Sequence, residues 1–228
     1  MSNWSDRLAV FDLETTGIEV ETCRIVSATV AVLNAEGEVE QRIDWLLDPG
    51  IEIPEGATHV HGITTEHAAL NGQSAAEGVA EIVTALRAHL AEGLPVVAYN
   101  APYDLTLLNR EARRYGIAPL ISPRPVIDPL VIDKGVDKYR KGKRTLAITS
   151  AFYGVTLDDA HDAGADAIAA GRVAQAIHRA HSSALPTTLE DLHAAQVTWY
   201  RQQAESFQDY MRRGRDPEFV ADVLWPER

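Results

Sequence analysis

An α/β fold, with a mixed sheet and helices packed against it, is what this sequence predicts. Two observations carry that expectation. Three β-like segments open the chain as a meander, and helical and strand-like segments then alternate for the next hundred or so residues. The 228 residues are enough for one sizeable core, and 46% hydrophobic and 24% charged residues are ordinary proportions for a globular domain.

Leu8 to Asp12 reads as a short buried strand, and Arg24 to Leu33 and Glu38 to Leu47 follow it, joined by a tight Asn34–Gly37 turn. Pro49, Gly50, Pro54 and Gly56 mark a loop that runs on into Thr58–Thr65. Thr64 or Thr65 is placed to cap a short helix ending near Leu70. From Ser74, the apolar residues Val79, Ile82, Val83, Leu86 and Leu90 fall at helical steps. Pro95 to Tyr99 reads as a buried strand, Pro102 to Tyr115 as a helix stopped by Gly116, and Pro125 to Ile132 as a strand at an edge or cut short by Pro129. Helices are expected over Thr145–Tyr153 and Ala163–Ala180. After a break at 182–188, Leu189, Leu192, Gln196, Trp199, Gln203, Phe207 and Tyr210 recur at helical steps. That last helix is expected to pack on the main domain, with a homodimer or a partner protein as the other reading. The apolar residues of the tail, Phe219 to Trp225, predict a docked end.

The composition excludes several classes. No apolar run approaches the ~20 residues of a membrane span, and the N-terminus lacks a signal-peptide pattern. Cys23 is the only cysteine, so neither an intrachain disulfide nor a cysteine zinc site can form. The expectation is a cytoplasmic protein. A net charge of −12 argues against indiscriminate adhesion to nucleic acid, although Lys134, Lys138, Arg140, Lys141, Lys143 and Arg144 make a local basic strip.

Three places carry candidate chemistry. In Phe11-Asp12-Leu13-Glu14-Thr15-Thr16-Gly17, two carboxylates lie two residues apart on a strand and so can share a face, where a hard cation would relieve their repulsion. Alone, this pattern is better explained by a strand that ends in a solvated acidic turn. Asp104, in Asn100-Ala101-Pro102-Tyr103-Asp104, sits in the first turn of a helix, where capping is the competing explanation. In His161-Asp162-Ala163-Gly164-Ala165-Asp166, a histidine precedes a helix made of small residues that would let metal or substrate approach the backbone. His59 and His61 form a His-x-His pair, with no third soft ligand placed by the sequence.

Taken in series, these motifs resemble those of the DnaQ-like 3′–5′ exonucleases, the DEDDh group of the ribonuclease H-like superfamily, over about residues 5–185. Tyr103 stands where phenylalanine is more usual, and Asp162 stands four before Asp166 where the sister group has tyrosine. The resemblance implies a ribonuclease H-like mixed five-stranded sheet flanked by helices over 5–185, with a C-terminal helical extension over 186–228. It also implies two divalent cations, Mg²⁺ or Mn²⁺, held by Asp12, Glu14, Asp104 and Asp166, with His161 as the general base. Thr15, Thr16, Gly17, His61, Ile63, Asn100 and Tyr103 would then hold the 3′ end of a nucleic acid, DNA rather than RNA. An RNA-directed enzyme is the alternative, and a non-catalytic binding module is disfavoured because no ligand position is lost. Gln202–Phe207 has Glu205 where a clamp-binding motif carries an aliphatic residue, which favours a stand-alone repair or trimming enzyme over a replisome subunit.

Overall fold

The structure, a computed structural model, describes residues 3–157 and 162–228. The chain begins with an antiparallel meander of β1 (Leu8–Thr15), β2 (Ile25–Leu33) and β3 (Val39–Asp48). Then come α1 (Glu55–His61), α2 (Thr65–Asn71), β4 (Gln73–Ser74), α3 (Ala75–Ala91), β5 (Val96–Val97) and α4 (Ala101–Arg114). They are followed by β6 (Val126–Ile127), α5 (Pro129–Val136), α6 (Leu146–Phe152), α7 (Ala163–His181) and α8 (Leu189–Gly214). The sheet runs β4-β3-β2-β1-β5-β6, with β5 parallel to β1, β6 parallel to β5, and β4 parallel to β3.

The predicted α/β class with a mixed sheet is what the chain adopts, with six strands where five were expected. The sixth, β4, pairs only Gln73 and Ser74 with Leu47 and Asp48, too short to leave a periodic signal. Two other segments differ from expectation. Pro125–Ile132 is strand only at Val126–Ile127. Asp128 then caps α5, and Pro129 opens the helix instead of closing a strand. Residues 55–61, expected as loop, form α1, which buries none of its residues and so shows no apolar stripe.

Alternation along β1 divides the core. Ala9, Phe11 and Leu13 face a layer built with α3 and α4 residues such as Val79, Leu86, Leu105 and Leu108. Leu8 and Val10 face Ala167, Ala170, Val173 and Ala174 of α7. The small residues of α7 allow a tight fit. A Cβ on Gly171 would overlap the side chains of Val10 and Leu33. The consequence for chemistry is geometric: Asp12 and Glu14 continue the Leu8–Val10 face and are directed to the α7 side of the sheet.

The C-terminal helix packs chiefly against α5 and β6, burying Leu192 and Gln196. The tail returns to α4, where Arg228 N donates to Thr106 Oγ1 at 2.8 Å and Trp225 is buried against His193. Among the described residues, no helix is long and apolar enough to cross a membrane.

Candidate metal-dependent active site

Asp12 and Glu14 at the end of β1 meet Asp166 from the first turn of α7, with one carboxylate oxygen of each within 4.8 Å of the others. Three elements bring this about. The pleat of β1 points both acids to one face, and a bulge between Glu14 and Thr15 ends the regular ladder immediately after them. Asp162 starts α7 by accepting Ala165 N at 2.9 Å, which places Asp166 on the turn that faces the strand.

The electrostatics are those of a carboxylate cluster that is costly to ionise. Burial, followed by the charges of Asp104, Glu14, Asp166 and Asp162, holds the Asp12 carboxyl well above its ordinary range. Glu14 is pushed up to about 8, first by burial and then by Asp166 and Asp162. Hard oxygen donors crowded in this way suit a divalent cation, whose charge would replace mutual repulsion with attraction. Asp162, noted in the sequence only as standing where the sister group has tyrosine, caps α7 and adds its charge to this environment. Arg42 bridges it, at 3.7 Å, to Asp44 on β3. The space over Gly164, expected to admit metal or substrate, is filled by the Arg42 guanidinium, which a Cβ there would overlap.

Asp104 is nearly fully buried at the start of α4, beside Asp12 but outside the three-carboxylate group. Burial raises its pKa, its own backbone N–H and that of Leu13 lower it, and Asp128 and Glu14 raise it further. The turn that delivers Asp104 is strained. Asn100 takes a left-handed φ of 67°, unusual for any residue but glycine and tolerated best by asparagine or aspartate.

Asp128, which the sequence reading did not single out, holds that turn. Its carboxylate accepts Asn100 N, Ala101 N and Leu130 N, each at 3.0 Å. Burial raises Asp128 to about 6 against the lowering effect of these donors. Its own backbone N–H donates to Gln196 Oε1 of α8 at 2.7 Å, and Gln196 Nε2 donates to Val126 O at 3.0 Å. A partial signal existed in the sequence, because Asp followed by Pro is one of the patterns that can open a helix.

The predicted substrate residues surround the strand end. Thr15 Oγ1 donates to Gly17 O at 2.7 Å, and the Tyr103 hydroxyl donates to the same carbonyl. The hydroxyl that distinguishes Tyr103 from phenylalanine therefore pins the turn after the carboxylates. Thr16 is buried, its hydroxyl accepting Arg24 N at 2.9 Å. His61, in the last turn of α1, accepts Ile63 N at 3.2 Å on Nδ1. Burial lowers its pKa, and the Thr15 backbone beside it pulls the value back up, so α1 carries His61 to the end of β1. Ile63 packs on Val26, Ile53 and Ala68. Ile18, one residue beyond Gly17, is 83% exposed and was not foreseen. His161, the expected general base, lies outside the described residues.

Two arginines of the basic strip are committed elsewhere. Arg140 and Arg144 both pair with the buried Asp133, Arg144 at 2.5 Å. Arg140 also lies over the Phe152 ring.

Known proteins share the domain and the fold. The RNase_T family model, described as exonuclease, matches residues 9–174. DNA polymerase III PolC-type of Streptococcus thermophilus is 30% identical over 166 residues, 72% of this chain but 10% of the polymerase. The corresponding protein of Lacticaseibacillus paracasei is 27% identical over 175 residues, 77% of this chain and 11% of that protein. The chain thus spans about a tenth of the length of the curated relatives it matches. Among solved structures, E. coli exonuclease I in complex with a dT13 oligonucleotide superposes with a TM-score of 0.66 at 18% identity, covering 78% of this chain and 42% of that one. The nuclease domain of 3′hExo, a DEDDh family member bound to rAMP, superposes with a TM-score of 0.64 at 17% identity, covering 77% and 92%. These two likenesses speak for the fold. The domain match, over most of the chain, places it in the RNase_T exonuclease family.

Proposed function

We propose that this protein is a metal-dependent 3′–5′ exonuclease that removes nucleoside 5′-monophosphates from the 3′ end of DNA, at single-stranded or frayed termini. The observation that carries this reading is the convergence of Asp12, Glu14 and Asp166 within 4.8 Å on the end of β1. In this reading Asp12, Glu14 and Asp166, with Asp104 completing the ring, hold two divalent cations, Mg²⁺ or Mn²⁺. Such cations supply charge neutralisation at the scissile phosphate and a more acidic water.

The chain's own residues perform the remaining tasks. A water oxygen attacks phosphorus and the bond to the 3′-oxygen breaks. His161 takes the water's proton, because an imidazole with an ordinary pKa of ~6.5 is suited to proton transfer near neutrality. The departing 3′-oxygen is protonated from solvent. The Thr15–Gly17 turn and His61 sit beside the carboxylates, where they can position the terminal nucleotide. Exposed Ile18 offers apolar contact to its base. The domain division at about residue 185 and a repair or trimming role, rather than a place in a replisome, belong to the same proposal.

DNA is favoured because relatives 27–30% identical to this chain are named as DNA polymerases. The 3′hExo nuclease domain, bound to rAMP, makes RNA the second arm of the test. Digestion of 5′-labelled single-stranded DNA, duplex DNA and RNA with Mg²⁺ or Mn²⁺ should give stepwise shortening and nucleoside 5′-monophosphates, fastest on single-stranded DNA. Faster loss of RNA would reassign the substrate. No metal-dependent mononucleotide release from any of the three would refute the enzyme.

A further inference from the structure

The basic strip and the C-terminal helix together form a groove that the exonuclease reading does not account for. A cavity of about 520 Å³ separates α5 and the strip from α8. Lys134 and Lys138 line one wall, and Trp199, Gln203, Phe207 and Tyr210 of α8 line the other. Arg140 and Arg144 complete its floor, so the lining carries four cations and no carboxylate on a chain whose net charge is −12. A second cavity of about 440 Å³ shares Lys134, Gln203 and Phe207 with the first, carries one carboxylate, Asp222, beside Arg228, and extends to Asn100, the residue that starts the Asp104 turn. The two make one path from the edge of the proposed active site along α8.

The groove's chemistry narrows its occupant. Phe207 and Tyr210 are 51% and 55% exposed, and their rings lie nearly parallel, 23° apart with centroids at 6.5 Å. Phe219 packs edge-on against Phe207 and so braces this exposed pair from the tail. Surface aromatics of this size are costly to leave in water, and an apolar peptide would not call for the two lysines opposite them. Positive charge on one wall and open ring faces on the other match a strand that carries phosphates along one side and flat bases along the other. Arg140 and Arg144 are tied to Asp133, which leaves exposed Lys138, with half-buried Lys134 beside it, as the cations that face the groove without an ion-pair partner among the described residues. The expectation that the whole strip forms the track is thereby narrowed. Exposed Lys141 and Lys143 lie outside the groove lining, and the missing half of the site comes from the C-terminal helix.

We propose that the groove between Lys134/Lys138 and the Phe207–Tyr210 face of α8 binds the single-stranded polynucleotide several nucleotides upstream of the 3′ end held at Asp12 and Glu14. The C-terminal extension is then a substrate-holding element, one that favours long single strands over dinucleotides. This inference rests on the exonuclease reading for its polarity, though not for the binding itself.

The test uses the full chain and a Phe207→Ser/Tyr210→Ser double variant, two exposed positions whose replacement leaves the core intact. A Lys138→Ala variant is the electrostatic counterpart. Fluorescence anisotropy with labelled oligo-dT of 4 and 16 nucleotides, in a Ca²⁺ buffer, reads binding apart from turnover. Hydrolysis of the p-nitrophenyl ester of thymidine 5′-monophosphate reads the active site without the groove. The double variant should weaken 16-mer binding by about 10-fold or more, since the two base–aromatic stacks together contribute at least that order. It should leave 4-mer binding and ester hydrolysis unchanged. Lys138→Ala should lower the salt dependence of 16-mer binding by roughly one counterion. Undiminished 16-mer affinity in the double variant would overturn the groove. So would a change in oligomeric state without a change in oligonucleotide affinity, which would make this face a protein interface. If the wild type binds the 16-mer in the predicted way but hydrolyses neither ester nor DNA, the groove stands and the catalytic reading falls.

Discussion

Gln196→Leu isolates the link between the C-terminal helix and the catalytic end of the sheet. Gln196 is fully buried and satisfies two backbone groups outside its own helix, accepting Asp128 N at 2.7 Å and donating to Val126 O at 3.0 Å. Leucine has similar volume and can make neither bond, so an amide N–H and a carbonyl would be left dry without partners. At about 1–3 kcal/mol for each orphaned buried group, the expected loss is about 2–6 kcal/mol. That is a large fraction of the stability of a typical domain. Urea unfolding monitored by tryptophan fluorescence should show the midpoint falling at an unchanged m-value. Because Asp128 also holds Asn100 and Ala101, loosening it should lower kcat on DNA more than KM, in conditions where the variant is still folded. Gln196→Glu, which keeps an acceptor for Asp128 N, should recover part of the effect. A loss below about 1 kcal/mol, with kcat unchanged, would show that α8 merely leans on the domain.

Four other expectations are as concrete. His161→Ala should leave Mn²⁺ affinity nearly intact by calorimetry and lower single-turnover hydrolysis by ~10²-fold or more; full activity would remove the residue from the mechanism. Asp12→Ala should weaken both Mn²⁺ binding and turnover, and unchanged affinity would contradict its assignment as a ligand. In the chelated protein, Glu14 holds its proton up to about pH 8 when folded, but only to its ordinary value near 4.5 when unfolded. Its contribution to stability is therefore complete below about 4.5 and is lost as pH rises toward 8. Glu14→Gln should flatten that decline in thermal midpoint, and a decline as steep as in the wild type would refute the assignment. Gly171→Ala should cost about 1–3 kcal/mol in chemical unfolding, because its Cβ would overlap Val10 and Leu33 where α7 meets the sheet; a neutral result would mean that α7 can shift freely.

The sequence by itself determined the features that repeat with a period or match a motif. The β1–β3 meander, the helix starts at Thr64, Thr145 and Asp162, and the alternation that sets Asp12 and Glu14 on one face were legible because each is a local consequence of side-chain spacing and capping. It could not show elements too short or too polar to carry a period, which is why β4 and α1 were missed, nor did a proline after Asp128 reveal on its own whether it ends a strand or begins a helix. Only the tertiary structure decided which charges are free. The strip at 134–144 reads as uniformly basic, yet Arg140 and Arg144 are spent on one buried aspartate, while residues more than fifty positions later complete the groove beside Lys134 and Lys138. Charge lies in the sequence, but the partner that neutralises it, or the aromatic wall that makes it a binding site, is chosen by which distant segments the sheet and α8 bring into contact.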